Sequence, residues 1–434
     1  MPDANSAAIG PTITDANSAA AGPTMPDANS AAIGPTNTAS PAIPAMMALP
    51  ADTGSPGSDA STHRKFYTFT ASLREIYDNN VNTASINPQS SLETELSPSI
   101  LVDFPMDNAD FSARYTLGIT YYSNAAAVNG GSTGSNGGSL QYTQEFVAQY
   151  THLFSGRFSL GLADQFLNYT EPSLFENTGT AYNNGTYNSN AFSGTLSAQW
   201  TPLLGTTTTY SNTIIKYDNA AVAVDQNSME NTGSQTISFA VLPKISVAVG
   251  GIGDNITYDT DNRGYTSYTG FIGAQWQALP SVSVTGRGGG SYTETVQNQE
   301  LFSPYGALSL SWTLGMRSAL SFDYAHEVTP SDQIGANGQT SDRFSGNFRY
   351  DITPSLSTHL QGTYTNATIS QQLAVAGISS SYNEGEYALD TGFTYHYNRY
   401  LDFDWGITLS GVTMETNGGD YSREEASLGV RGTY

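Results

Sequence analysis

The strongest constraint in this sequence is a two-residue alternation of apolar and polar side chains. Residues 66–73 place Tyr67, Phe69, Ala71 and Leu73 on one face and Phe66, Thr68, Thr70 and Ser72 on the other. Residues 111–122 set Phe111, Ala113, Tyr115, Leu117, Ile119 and Tyr121 against Ser112, Arg114, Thr116, Gly118, Thr120 and Tyr122. The pattern returns at 192–200 and 343–352. It returns again at 401–410, where Leu401, Phe403, Trp405, Ile407 and Leu409 oppose Asp402, Asp404, Gly406, Thr408 and Ser410. Successive side chains of a strand leave on opposite faces, so each run reads as a strand with one apolar and one polar face. The runs last about ten to thirteen residues, against about 5–6 for a soluble strand and about 9–11 for a tilted membrane-crossing one. No helical period supplies a layer to cover the apolar faces, so lipid covers them. A sheet in lipid must close to pair its edge N–H and C=O groups. The expected fold is all-β: an antiparallel, up-and-down transmembrane β-barrel.

Composition narrows the alternatives. Charged residues are 12% of the chain, about half of the roughly 25% usual in soluble domains. No run of 18 apolar residues is present, which excludes transmembrane helices. The absence of cysteine removes disulfide scaffolds and thiol-based metal or redox chemistry. A formal charge of −23 argues against nucleic acid as a partner.

Turn signals count the strands. Short Pro- and Gly-bearing turns are expected at 105–108, 154–157, 201–205, 242–244, 278–281, 314–317, 353–355 and 398–400. Long loops rich in Asn, Gly, Ser and Thr are expected at 77–91, 123–138, 170–187, 218–231, 259–264, 293–302, 329–341, 369–384 and 413–421. Eight short turns and nine long loops give eighteen strands, with sixteen as the alternative. Amphipathic rings favour both headgroup levels of a bilayer. One aromatic girdle is accordingly expected at Tyr77, Tyr121, Tyr169, Tyr217, Tyr258 and Tyr292, and the other at Trp200, Trp276, Trp312 and Tyr350. The last strand ends in Tyr434, preceded at alternate positions by Val430 and Leu428, which resembles the terminal signal by which barrel-assembly machinery recognises outer-membrane barrels.

The first 62 residues differ from the rest. MPDANSAAIGPT, ITDANSAAAGPT and MPDANSAAIGPT repeat over 1–36, and low-complexity sequence continues to Thr62. With so little apolar surface this segment is expected to be a disordered tail, a surface-display or peptidoglycan-binding spacer being the alternative. The barrel is assigned to 63–434. No basic segment followed by an apolar run opens the chain, so no secretory signal is read there.

Within the first hairpin, SLREIYDNNV (72–81), INPQS (86–90) and LSPSI (96–100) resemble the opening of the β-barrel porin 2 family of Gram-negative outer membranes. The resemblance covers about 40 residues; over the remainder it is architectural. It implies a barrel porin of unassigned solute, in some cases encoded with exopolysaccharide export systems.

The search for reaction chemistry returns little. His63, His152, His326, His359 and His396 show no metal-ligand spacing. A barrel phospholipase would need a Ser–His pair on outward faces, for which His152 and His326 are the candidates by parity. The segments VGGIGDN (249–255) and GRGGG (286–290) lack the Lys–Ser/Thr ending of a phosphate loop and read as glycine relief in crowded strands. No enzyme activity, cofactor or metal is expected. The polar face instead supplies candidate pore-lining charges: Arg74, Glu93, Glu95, Asp103, Arg114, Glu145, Asp323, Glu327, Arg343, Arg349, Asp351, Glu386, Asp390, Asp402, Asp404 and Arg431. Such charges bias ion choice in a pore, or form ion-paired ladders in its wall. Residues 61–434 carry 33 acidic and 15 basic side chains, a net −18. The sequence therefore predicts an outer-membrane pore for small hydrophilic solutes, weakly cation-preferring, with both termini periplasmic and segment 170–187 as a constriction loop. An exopolysaccharide conduit, with Phe66, Tyr122 and Phe271 toward the lumen, and a non-conducting adhesin or structural barrel are the alternatives. Lipid and small polar solutes are the expected partners, and self-association is left open.

Overall fold

The computed structural model describes residues 66–83, 85–124, 139–169, 186–218, 223–224, 226–260, 263–329, 336–373, 378–414 and 420–434. The 1–62 tail, His63 and most of the expected constriction loop lie outside the described residues. Eighteen strands follow in order. They are β1 (Tyr67–Asp78), β2 (Ser91–Pro105), β3 (Ala109–Tyr122), β4 (Ser139–Ser155), β5 (Phe158–Tyr169) and β6 (Tyr187–Gln199). Next come β7 (Leu204–Tyr217), β8 (Ser228–Leu242), β9 (Ile245–Tyr258), β10 (Gly264–Leu279), β11 (Val282–Thr295) and β12 (Glu300–Thr313). The last six are β13 (Ser318–Thr329), β14 (Ala336–Thr353), β15 (Leu356–Leu373), β16 (Ile378–Asn398), β17 (Leu401–Met414) and β18 (Tyr421–Thr433).

Each strand pairs antiparallel with its sequence neighbours, and β1 also pairs β18, so the 18-stranded sheet closes. At the seam Tyr434 N–H donates to the Phe69 carbonyl at 2.8 Å, and Phe69 N–H returns the bond at 3.0 Å. Closure removes the edges that lipid could not satisfy. The expected strand number and up-and-down order are therefore those of the structure.

All eight short turns fall where turn chemistry put them, on the end of the barrel that carries both β1's start and β18's finish. The opposite, long-loop end differs from expectation in detail. Residues 293–302 were expected as a loop, but β11 and β12 run on to Thr295 and from Glu300. Likewise β15 and β16, of 18 and 21 residues, continue through most of 369–384. Backbone pairing sustains such projecting hairpins while water solvates both faces, so polarity there marks height rather than loop.

The apolar face points outward and forms a belt. Near the short turns it carries Phe104 stacked on Phe111 (6.4 Å), Phe158 against Trp200 (5.5 Å) and Phe393 against Trp405 (5.8 Å). Trp276, Trp312 and Tyr350 stand exposed at the same end. Toward the loops, Tyr77, Tyr121 and Tyr292 face outward, and the rings of Tyr324, Phe344 and Tyr364 follow one another in tilted contacts at 4.9 and 6.4 Å. Three expected girdle residues are corrected: Tyr169, Tyr217 and Tyr258 turn inward. The outward positions beside them are Asn168, Lys216 and Thr257, one residue out of phase. Tyr169, Tyr187 and Tyr217 instead pack with Leu167 and Ile215 inside the wall, and the Arg263 guanidinium lies 4.1 Å over the Tyr258 ring. A tyrosine near a strand end is an outer anchor only if its parity is that of the belt. With an 18-strand closed wall and an outer apolar belt, the class is a transmembrane β-barrel.

Candidate functional site

Parity sends one line of side chains from every strand toward the barrel axis. All the sequence-nominated pore-lining charges lie on that inner face. The cross-strand line Asp402, Arg431, Ser72 is one example, and Asp404, Gly429, Arg74, Glu95 is another.

Charge is concentrated on one half of the wall, β13–β18 continuing into β1–β4. There each arginine is held by a carboxylate. Arg74 Nε lies 3.2 Å from Asp404, Arg431 Nη2 is 2.8 Å from Asp402, and Arg114 is 3.4 Å from Glu145. Arg343 reaches Glu327 at 3.5 Å, and Arg349 reaches Asp351 at 3.4 Å. Arg423, which sequence reasoning missed, meets Asp78 at 2.7 Å and Glu425 at 3.0 Å. Two histidines join the ladder: His359 Nε2 lies 2.8 Å from Asp390, and His396 Nδ1 lies 2.8 Å from Asp402. Thr408 donates to the other oxygen of Asp390 at 2.9 Å. Glu93, Glu95, Asp103, Asp323, Glu384 and Glu386 add further carboxylates to this face, so acids outnumber arginines along it. Asp78, Glu384 and Glu230 escaped notice because their positions read as loop, although each sits on the inner parity of a strand that runs on; Arg423, just past the expected 413–421 loop, was not nominated although it shares that parity.

The other half, β5–β12, is a carpet of small hydroxyls. Ser267 and Ser291 are 2.8 Å apart, Thr293 donates to Ser267 at 3.1 Å, and Thr269 donates to Ser291 at 3.0 Å. Its inner charges are Glu230, Asp254 and Arg287, with Thr232 donating to Asp254 at 2.9 Å and Arg287 over the Phe271 ring at 5.0 Å. Side-chain room is short here: a Cβ at Gly250 or Gly289 would collide with Phe271 and with neighbouring backbone. These are the glycines of VGGIGDN and GRGGG, lying within β9 and β11 as strand residues.

The inner face is buried in its upper half and open below. On β2, Ser91, Glu93, Glu95 and Ser97 are buried and Ser99 to Asp103 are partly exposed; on β12, Ser303, Tyr305 and Ala307 give way to exposed Ser311 and Thr313. The inner face is thus more closely packed toward the loops and more open toward the short turns. Tyr122 and Phe271, nominated as lumenal aromatics, face inward but are buried, and Phe66 stacks on Phe104 at 5.7 Å near the short turns.

Outside the strands, Asp259 accepts two bonds from Lys216 Nζ at 2.8 and 2.9 Å and one from Asn227 at 2.8 Å. These bonds, Lys216's first, hold its carboxyl below the usual aspartate range. On the outer face, His326 lies 2.8 Å from Asp342 and His152 lies 3.1 Å from the Tyr150 hydroxyl. Among the described residues neither has a serine partner, so no acyl-transfer triad is assembled, and no group of three His, Asp or Glu is placed to hold a metal.

Among solved structures, the chain is similar to OccK1 (OpdK) of Pseudomonas aeruginosa at 10% identity, over 85% of this chain and 99% of that one, with a TM-score of 0.47. It is also similar to OccAB3 of Acinetobacter baumannii, at 9% identity over 85% and 98% of the two chains, with a TM-score of 0.42. OccK2 (OpdF) of Pseudomonas aeruginosa, solved with glucuronate, gives 12% identity over 85% and 97%, with a TM-score of 0.41. Likeness at this level bears on neither solute nor selectivity. No family model and no curated protein matches the chain, so the porin 2 resemblance of the first hairpin gains no support from that side.

Proposed function

We propose that this protein is an outer-membrane channel through which small hydrophilic solutes diffuse passively, with cations preferred. The observation that carries the reading is the inner face of a closed 18-strand wall, polar on every strand, with carboxylates in excess of arginines. Barrels of about 16–18 strands leave room for an aqueous channel. Solutes move by electrodiffusion, with no covalent step and no cofactor. Each inner arginine of β13–β18 and β1–β4 is neutralised by a carboxylate, so the surplus acids of that half set the sign of the lumenal potential. The hydroxyl half offers solutes replacement hydrogen bonds without adding charge. Phe66, where the described residues begin, and Tyr434 lie at the short-turn end, which we assign to the periplasm, with the long loops outside. On this reading Tyr434, Val430 and Leu428 present the strand that assembly machinery captures. Of the three aromatics an exopolysaccharide conduit would use, Tyr122 and Phe271 are buried and Phe66 alone is exposed, which favours the small-solute reading.

Liposome swelling with graded sugars tests the channel. Swelling that declines with sugar size is expected. No swelling with the smallest sugar would leave the barrel a non-conducting anchor.

A further inference from the structure

Most of the outer belt is what lipid requires. Strands β13–β18 and β1–β4 present Phe322, Phe348, Leu360, Leu409, Leu73 and Leu96 there; their outward polar pairs include Tyr115 with Gln144 and, three residues from the loop ends of β1 and β13, Glu75 with Thr94 and His326 with Asp342. The outer face of β5–β10 is different. Asp164 stands on that face six positions up β5 from Phe158 and accepts a bond from Asn190 at 3.2 Å. The Tyr210 hydroxyl and the Asn212 amide both donate to Asn231, at 2.9 and 3.0 Å, and Thr208 donates to Gln235 at 2.5 Å. Asn212 and Asn190 donate also to the Glu230 and Gln165 carbonyls, at 3.3 and 3.4 Å, but an amide has two donors and two acceptor lone pairs, and the N–H groups of Asn231 and Gln235 are not used by these bonds. Acyl chains offer no partner for the remainder, and a carboxylate on a lipid-facing wall is costly.

Beside these polar groups the wall is bare. Gly233, Gly251, Gly253 and Gly270 face outward, and a Cβ at Gly233 or Gly270 would meet nothing within 4 Å. The chain's own packing therefore does not require glycine at these positions. Glycine weakens a strand interior and is used where another backbone comes close. Ile272, 71% exposed, stands as a knob beside Gly270.

We propose that the outer face of β5–β10 is the surface on which a second copy of this chain docks within the membrane. The inference rests on the barrel crossing a bilayer and not on what passes through it. Amides and hydroxyls both donate and accept, so one such face satisfies its twin across a two-fold axis. Knob and bare backbone on the same patch are likewise self-complementary. A soluble partner cannot reach this depth. Six strands at about 4.8 Å spacing and a belt about 25 Å tall give roughly 700 Å² per copy. Two such faces reach the lower part of the range for stable interfaces, about 1,200–2,000 Å² in total.

The chain has no cysteine, so Gly233→Cys and Gly270→Cys can be introduced singly into the full-length protein, with Leu360→Cys on the far side as control. In proteoliposomes under oxidant, the two glycine positions should give a linked pair at twice the 46.1 kDa chain mass, at least ten-fold above the control. Adding Gly233→Leu and Gly270→Leu to a Thr208→Cys chain should leave a folded, heat-modifiable barrel and abolish its cross-link. Cross-linking no greater than at Leu360→Cys, or unaffected by the leucines, would overturn the proposal. Should the variants fail to insert, the mass of the wild-type protein in native-lipid particles decides: a dimer supports the interface, and a monomer contradicts it.

Discussion

The half of the barrel built from β13–β18 and β1–β4 and the half built from β5–β12 share one fold and differ on both faces. The first carries an ion-paired ladder inside and mostly bulky apolar side chains outside, with the His326–Asp342 and Glu75–Thr94 pairs toward the loops. The second carries hydroxyls inside, and amides and bare glycines outside. Strand pairing explains how one half tolerates so much charge: Arg114, Arg343, Arg423 and Arg431 meet carboxylates of neighbouring strands, Arg74 reaches Asp404 across β18, and Arg349 meets Asp351 on its own strand, so each is neutralised within the wall. The hydroxyl half has almost no charge to neutralise, so its strands can afford glycine where the lumen is crowded. On the proposals above, one barrel divides selectivity and association between two sectors without changing its register.

The sharpest way to break this contrast is to remove one ladder partner. Arg423→Ala leaves Asp78, 0% exposed, without its guanidinium. A loss of about 3–5 kcal/mol is expected in urea unfolding followed by heat modifiability, whereas Ser211→Ala on the hydroxyl half should cost less than about 1 kcal/mol. Equal losses would erase the distinction. Next in size is a charge placed on the lipid-facing belt: Leu409→Arg should cost about 2–4 kcal/mol in the same assay. A smaller effect is expected in the lumen. Asp103→Asn with Asp323→Asn should lower the cation-to-anion permeability ratio about two-fold, while Thr209→Ala with Thr236→Ala leaves it unchanged.

The smallest effect lies outside the membrane, at Lys216 and Asp259. A depressed carboxyl stabilises the folded state above the ordinary aspartate pKa and loses that contribution as pH falls through the depressed value. Lys216→Met should move the Asp259 titration upward in a carboxyl NMR experiment. An unchanged midpoint would show that Asn227 alone holds it.

Much of this architecture was legible because lipid and water impose opposite demands on alternate residues. That is why the strand number, the short turns and the inner placement of Arg74, Asp402 and Arg431 could be read directly. The long-loop end was less legible. Above the membrane both faces are wet, alternation fades, and β15 and β16 look like loop for several residues. The same fading hid Asp78 and Glu384, which extend the charged face. Tyr169, Tyr217 and Tyr258 were misplaced for a different reason: ring chemistry suits either face, and only the pairing register distinguishes them. The lateral pairing of charges depends on register between strands far apart in sequence, such as β1 and β17 meeting through Arg74 and Asp404 across β18, which no local pattern encodes.

The central claim is an acid-dominated aqueous lumen, and the reversal potential of the purified protein in a planar bilayer under a salt gradient tests it most directly. Stepwise conductance with a reversal potential of the sign set by cations is predicted. A reversal potential set by anions, or a bilayer that stays silent with folded protein inserted, would contradict it.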